Sequence, residues 1–502
     1  MEYISANNTR FSNEVYRTRL IHLAICFSFL LSSMLIIAAA RGDLWLDEIW
    51  SLSFVRASHS VTDLFVRFHH DNNHLLNTLF LYCAGARKTL LAYRLFAVFS
   101  GICSVFLVGY IGRRNWGYPE ALCSIILTGT SYPLLLYFSE ARGYSPAILF
   151  ALLSYVALRQ NSQDFSLGRL VFFWAASILG MLSHLTFFMV TVAFFGGSVA
   201  HEICMGGSFR EKTLRLIAHH APHFTFFAWW YMFFVRDMVI GGGPIYEKLD
   251  VISLASALLL GFPEVPGFFG AAVVSVLILG AVGANSLRQE YDTLWLFFPT
   301  LLLLSPALLI ILTNPKYLYF RYFIVCFPFF YLLLSHLACK WYRSCPIRWR
   351  WLLIAAVAML IAGQTPRVYR LLKLGRGSYA AALARISESS AGGIVRVGTD
   401  HDFRNRTLFD FYVPLMRGES TLLYVEQPNW LLVPPDWILT HSQDVSYQPP
   451  KELALANIGR YRFIYEYRFS GISGWNWFLF RREISNDGNK GGRTEQNAAV
   501  DG

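Results

Sequence analysis

The sequence predicts a polytopic α-helical membrane protein of about eleven spans, followed by a small α/β domain outside the membrane. Three observations predict it. The 502 residues are 55% hydrophobic and only 15% charged, against about 25% charged in soluble domains. Apolar runs of roughly 20 residues, each long enough to cross a hydrocarbon core, recur through the first three quarters of the chain. Beyond about residue 370 that pattern gives way to short alternating runs.

The spans read as 20–40, 93–112, 119–138, 144–160, 169–185, 186–203, 217–235, 265–286, 293–313, 319–339 and 351–369. The first follows Arg17 and Arg19 and ends in Ala38-Ala39-Ala40, which loosely resembles a signal-peptidase site. Its length favours an uncleaved anchor. The run 73–91 is ambiguous, and charge decides it. If it crossed the membrane, Arg113-Arg114 and every later basic loop would fall outside. Placed at the surface as a juxtamembrane or re-entrant helix, it leaves the basic clusters at Arg17/Arg19, Arg113/Arg114, Arg159/Arg169, Arg210/Lys212/Arg215, Arg288 and Lys340/Arg343/Arg348/Arg350 inside. The N-terminus is then cytoplasmic, and the loops 41–92 and 236–264 and the tail lie outside the membrane.

The net charge of +11 follows from this bias rather than from a nucleic-acid surface, because the basic residues sit in short loops between spans. Eight cysteines, including Cys26, Cys103, Cys123 and Cys326, are scattered without CxxC spacing, which indicates neither a disulfide framework nor a zinc ribbon. The expected domains are a transmembrane domain over 1–370, an extracytoplasmic α/β domain over 371–484, and a disordered polar tail over 485–502. In the second domain, 394–397, 461–465 and 475–480 read as strands. The segments 378–389 and 404–416 read as helices. Gly241-Gly242-Gly243-Pro244 marks 236–264 as a mobile loop.

Four clusters carry chemistry. Asp47-Glu48 follows the first span, ahead of Ile49, Trp50 and Phe54, which suit an amphipathic interfacial helix. Carboxylates at a membrane surface are costly. Adjacent helical residues point about 100° apart, so the two have separate tasks, one as a general base and one as a support; a plain helix cap is the bland alternative. The second cluster, His69-His70-Asp71-Asn72-Asn73-His74, is a candidate for sugar hydroxyls through Asp71, Asn72 and His74, or for a divalent metal through His70, Asp71 and His74. The third, Glu140-Ala141-Arg142-Gly143-Tyr144, is either a plain interfacial Glu140–Arg142 pair or places Arg142 where a lipid phosphate would be met, with Glu140 and Tyr144 as substrate-binding candidates. The fourth holds Lys316 and Arg321, cations on a face where positive charge is under-used. His184 and His219-His220 read as packing residues. Trp475 and Trp477 are candidates for an acceptor glycan or for packing.

These residues resemble the GT-C glycosyltransferases that use polyprenyl-phosphate sugars, a group with protein O-mannosyltransferases, lipid A aminoarabinose transferases and RgtA/B/C/D-like lipopolysaccharide-core transferases. Leu46-Asp47-Glu48 is similar to the family's catalytic pair. His74-Leu75-Leu76-Asn77 is similar to its His-Pro-Pro-Leu element without the prolines. Tyr93-Arg94-Leu95…Gly101, Glu140-Ala141-Arg142-Gly143-Tyr144 and Arg321-Tyr322 follow in the family's order. The resemblance covers about 19–335. It implies a GT-C-type membrane enzyme in which Asp47 deprotonates an extracytoplasmic acceptor (glycan, lipid or protein). The acceptor then attacks the sugar of a polyprenyl-phosphate donor by inverting displacement. Arg142, Lys316, Arg321 and Arg94, or Arg56 in their place, would meet the donor phosphate, with the bilayer and the two substrates as partners and no nucleic acid. A lipid-linked-sugar flippase, the rival reading, needs mid-span charges or interrupted helices repeated in two halves; few such charges and no internal symmetry are found. A non-catalytic membrane subunit is the other alternative.

Overall fold

The computed structural model describes residues 2–483 apart from 88, 264–265, 391 and 417–419, with side chains described from residue 16 onward except at 17 and 266. The expected tail over 485–502 lies outside the described residues. The chain divides into two compact units, Met1–Gly375 and Arg376–Gly502.

The first unit is helical. Each expected span falls on helical structure, and six helices are individually long and apolar enough to cross a membrane: Thr18–Ala39, Leu90–Asn115, Phe187–Cys204, Gly267–Gln289, Phe320–Ser344 and the helix opening at Ile347. The protein is therefore a multi-pass membrane protein. The other helices are shorter or less apolar, among them Leu75–Ala84, Leu167–Ser183 and Phe297–Thr313.

Two segments depart from the sequence reading. The run 119–138 is not one straight span. It consists of helices Tyr118–Thr130 and Tyr132–Phe138, bent by 70°. Pro133 cannot continue the ladder of the first helix, since it lacks an N–H and its ring needs the space of the preceding turn. The freed polar groups are met by distant partners. Tyr132 N–H donates to Gln364 Oε1 (3.2 Å), and the Tyr331 hydroxyl reaches Ser131 Oγ (3.1 Å). Away from water such partners are obligatory.

The second departure is in 236–264. The glycine-rich part has no regular structure, but Lys248–Leu260 is a helix that buries Val251, Ala255, Ala257, Leu258, Leu259 and Leu260. Its C-terminus is capped by Gly261 in the left-handed region (φ 70°) and abuts the helix Ile347–Leu374. Gln364 Nε2 donates to Leu258 O (2.6 Å), and Arg367 donates to Phe262 O. The apolar content of 251–260 overrides the glycine signal upstream because burial against neighbouring helices outweighs local propensity.

The second unit is α/β, as expected. Its strands are β1 (Gly393–Thr399), β2 (Ser420–Tyr424), β3 (Trp437–Ser442), β4 (Glu452–Leu455), β5 (Gly459–Tyr467) and β6 (Asn476–Arg482), in the order β2-β1-β3-β6-β5-β4. β1 lies parallel to β2 and β3, while β6, β5 and β4 continue antiparallel. Helices Tyr379–Glu388 and Asp402–Tyr412 flank β1 in sequence. Val425, Trp430, Ile438, Tyr461, Phe478 and Phe480 form a core cluster. Trp475 and Trp477 are only 2% and 1% exposed, so neither offers a ring face to a glycan.

A side chain at Gly363 would place its Cβ 1.9 Å from Gly261 O. Gly363→Ala is expected to push the two helices apart and cost about 1–3 kcal/mol, read as a lower thermal unfolding midpoint in detergent. Gly270→Ala, whose added Cβ meets nothing within 4 Å, is the control and should not lower that midpoint.

Candidate active site

The helix Leu46–Ala57 begins directly after Trp45, and its first turn carries both acidic residues. Their side chains have opposite fates, as the 100° offset requires. Glu48 is wholly buried. Its Oε1 accepts Arg94 Nε (2.7 Å) and the Ala141 N–H (2.7 Å); its Oε2 accepts Arg94 Nη2 (2.6 Å) and the Trp45 N–H (2.7 Å). Glu48 thus caps its own helix and ties it to the helix Leu90–Asn115 and to the chain at Ala141. The rest of the Arg94 guanidinium donates to Ala40 O, Gly42 O and Asp43 O. Every nitrogen of that guanidinium is engaged, which leaves none for a phosphate. The expected phosphate role of Arg94 is thereby replaced by a structural one.

Asp47 faces the other way. Its Oδ2 lies 2.8 Å from Arg142 Nη1 and 3.9 Å from Arg321 Nη1. No hydrogen bond among the described residues engages Oδ1. The break at 139–143 between two helices presents Arg142. Ala141 in that break gives its N–H to Glu48 and its carbonyl to Asn77 Nδ2 (2.7 Å). Gly143 is required there, since a Cβ would meet Ser183 O at 1.7 Å and His74 Cβ at 2.9 Å. Arg321 comes from the 3-10 turn Phe320–Cys326 that precedes the helix Phe327–Ser344.

Asn72 locks the two halves together. Its Oδ1 accepts Arg142 Nη2 (2.9 Å), and its Nδ2 donates to the Asp47 carbonyl (2.6 Å). Arg142 Nε and Nη1, Arg321 Nε and His74 Nε2 are buried without a hydrogen-bond partner. For Arg142 Nη1, the approach to Asp47 is an ion pair off hydrogen-bonding geometry. Unused buried donors of two guanidiniums beside one carboxylate have the chemistry to meet an oxyanion.

Aromatic rings pack beneath the cations. Arg142 lies over Tyr144 (5.1 Å) and Arg321 over Tyr319 (4.4 Å). His74 stacks on His184 (4.6 Å), which in turn meets Tyr144 (4.2 Å). His184 does pack, as the sequence suggests, but it does so against the ring that carries Arg142, at the break between helices Leu167–Ser183 and Phe187–Cys204. A histidine at the junction of two apolar runs is the sequence signal for that place. Glu140 is buried beside Ala141.

The second cluster does not converge on a metal. His70 Nδ1 lies 2.9 Å from Asp71 Oδ1, while His74 is engaged with His184. Among the described residues no three His, Cys, Asp or Glu side chains are placed to hold a metal ion. Instead, the turn binds the glycine-rich segment. Val239 N–H donates to His69 O (2.8 Å), Asp71 N–H to Val239 O (3.0 Å), and Gly241 N–H to Asp71 Oδ1 (3.1 Å). Trp50 and Phe54 clamp the same turn against His70 and Phe68. Burial alone would raise the Asp71 carboxyl, but the His70 ring and the Gly241 N–H outweigh it and hold its pKa below the usual value. Lys316 is exposed with its ammonium over Tyr317 (5.3 Å), and Arg56 is exposed at the last turn of its helix.

No protein-family model matches the sequence, and no curated protein matches it. Solved structures do. The chain is similar to ArnT from Cupriavidus metallidurans in the apo state, at 12% identity and a TM-score of 0.49, over 93% of this chain and 98% of that one. It is also similar to the same protein bound to undecaprenyl phosphate, at 12% identity and a TM-score of 0.44, over 93% and 99%.

Two outcomes test this geometry. Removing one partner of the buried pair, as in Arg94→Leu, is expected to cost about 3–5 kcal/mol, read by thermal unfolding in detergent. His74 is held well below the ordinary histidine pKa by burial, then by His184 and by the Arg142 and Arg321 charges. The folded state thus binds fewer protons than the unfolded one below the ordinary histidine pKa, and stability falls as pH drops through that range, by about 1.4 kcal/mol per pH unit for one proton. His74→Gln is expected to flatten the fall in unfolding midpoint between about pH 7 and pH 5; an unchanged slope would exclude this assignment.

Proposed function

We propose that the protein is an integral-membrane glycosyltransferase that moves a sugar from a polyprenyl-phosphate donor to a hydroxyl-bearing acceptor outside the cytoplasm. The observation that carries this reading is the Asp47 carboxylate set against Arg142 and Arg321, whose buried donors lack partners. A base beside an oxyanion site is what displacement of a phosphate by a hydroxyl needs. The distribution of basic loops favours the outer face for Asp47. A cytosolic nucleotide sugar could not reach a site there. A lipid-borne donor can.

Asp47 Oδ1 accepts the proton of the acceptor hydroxyl. The acceptor oxygen attacks the anomeric carbon from the face opposite the phosphate, and the bond from that carbon to the phosphate oxygen breaks. The electron pair stays on the phosphate, and configuration inverts. Arg142 and Arg321 receive the added charge. Fixed donors stabilise developing charge best because they need not reorganise. In the same motion the phosphate competes with Asp47 Oδ2 for Arg142 Nη1, so substrate binding loosens the ion pair on the base. Glu48 does not touch the reactants; it positions Asp47 and Arg142 through the helix start and the Ala141 N–H. Asp71 and Asn72, from the turn that Asn72 ties to Asp47 and Arg142, are candidates for the sugar or acceptor hydroxyls, and the exposed Lys316 is a further candidate for the donor phosphate.

In this reading, cells lacking the protein accumulate one polyprenyl-phosphate-linked sugar, and reintroduced wild type clears it. Asp47→Asn should be inserted and folded yet slow clearance by roughly 10²–10⁴-fold. Clearance at the wild-type rate by Asp47→Asn would show a non-catalytic subunit instead. Arg142→Gln and Arg321→Gln should each weaken binding of polyprenyl phosphate to the purified protein by about 10-fold or more.

A further inference from the structure

The second unit contains a polar cluster that the reaction above does not use. The chain passes from β1 through the helix Asp402–Tyr412 to β2 on one side of β1, then returns to β3 on the other. In open parallel sheets this reversal leaves a crevice at the carboxyl ends of the two central strands, where ligands bind. Here those ends carry Asp400, His401 and Asp402 after β1, and His441 near the end of β3.

The four side chains are held in fixed states. Asp400 Oδ1 accepts His441 Nδ1 (2.8 Å) and Asn405 Nδ2 (2.9 Å), and its Oδ2 accepts the His441 N–H (2.9 Å). A carboxylate only accepts, so Nδ1 of His441 carries the hydrogen and Nε2 of the neutral ring is an acceptor. His401 is the reverse. Its Nδ1 accepts the Arg404 N–H (3.4 Å), which leaves Nε2–H as a donor. Neither Nε2 has a hydrogen-bond partner among the described residues. The two rings lie 6.2 Å apart, and Trp475 backs His441 at 4.9 Å. Asp402 is fixed by the Tyr424 hydroxyl (2.8 Å) and the Gln427 N–H (2.9 Å). Next to it, Phe403 is 69% exposed, an aromatic ring at the same helix start.

We propose that this crevice binds a saccharide, with His441 Nε2 accepting from one ligand hydroxyl and His401 Nε2–H donating to another. The two carboxylates disfavour an anion. Asp400 already takes three donors, which leaves little of it for a metal ion. A neutral polyhydroxylated ligand needs an acceptor and a donor side by side, since each hydroxyl both gives and takes. Phe403 supplies an apolar ring for the C–H face of a sugar.

The test is saturation-transfer difference NMR on the full chain in detergent micelles, with methyl α-D-glucoside, methyl α-D-mannoside, methyl β-D-galactoside and lactose as probes. Transfer to the ring protons of at least one probe is expected. It should persist in Asp47→Asn, and the dissociation constant should rise about tenfold in His441→Phe and in His401→Phe, which lie outside the proposed active site and so separate the two. His401→Gln, which keeps a donor, should bind nearly as wild type; it also covers the case in which a phenylalanine variant fails to fold, which thermal unfolding would reveal. Absence of transfer to all four probes, unchanged affinity in both phenylalanine variants, or loss of transfer in Asp47→Asn would each overturn the proposal.

Discussion

The buried Glu48–Arg94 pair is the constraint on which the rest of the membrane unit depends. Charges inside a low-dielectric region are costly, and a buried ion pair contributes little net stability unless its remaining hydrogen-bonding capacity is filled. Here it is filled. Glu48 takes four hydrogen bonds, and Arg94 adds three backbone carbonyls from the end of the first span and the loop behind it. The pair therefore fixes geometry more than it adds stability. It sets the start of the helix Leu46–Ala57, the exit of the first span and the break at Ala141 relative to one another. Asp47 adjoins Glu48 itself, and Arg142 adjoins Ala141, which Glu48 holds. Their separation of 2.8 Å is a consequence of that frame.

Around this frame the site is built from places where helices stop. Arg142 comes from the break at 139–143, His184 from the gap at 184–186, Arg321 from a 3-10 turn, and Asp47 from a helix start. A continuous helix turns its polar backbone inward on itself and leaves only side chains for chemistry. An interrupted one exposes N–H and C=O groups, which must be answered by side chains from elsewhere. The same residues that satisfy the interruptions, Glu48, Asn77 and Asn72, also aim the cations.

Much of this is legible in the sequence. Where the helices fall follows largely from hydropathy, although six of them, not eleven, are individually long and apolar enough to cross a membrane. The opposite directions of the Asp47 and Glu48 side chains follow from helical geometry, and Arg142 and Arg321 stand out as cations among apolar and aromatic neighbours. What is not legible is pairing at long range. Arg94 sits 46 residues from Glu48 and, read alone, is one arginine among several. The helix Lys248–Leu260 is hidden by the Gly-Gly-Gly-Pro run before it, because glycine reports backbone freedom where it stands and says nothing of the residues that follow. Trp475 and Trp477 resemble ligand platforms because the sequence does not tell that the first five residues of β6 are covered on both faces of the sheet. The tryptophans lie inside, at 2% and 1% exposure.

Ala141 gives its N–H to the first loop through Glu48 and its carbonyl to Asn77 in the same loop region. For anyone recombining such proteins, this residue defines a module boundary. The stretch 46–77 and the break at 139–143 are one part in two pieces. A chimera that exchanges either piece alone leaves bare peptide groups, or a bare carboxylate, where no water can reach them. Exchanged together, the pieces keep both Ala141 bonds, while Glu48 still draws on Arg94 and the Trp45 N–H outside them.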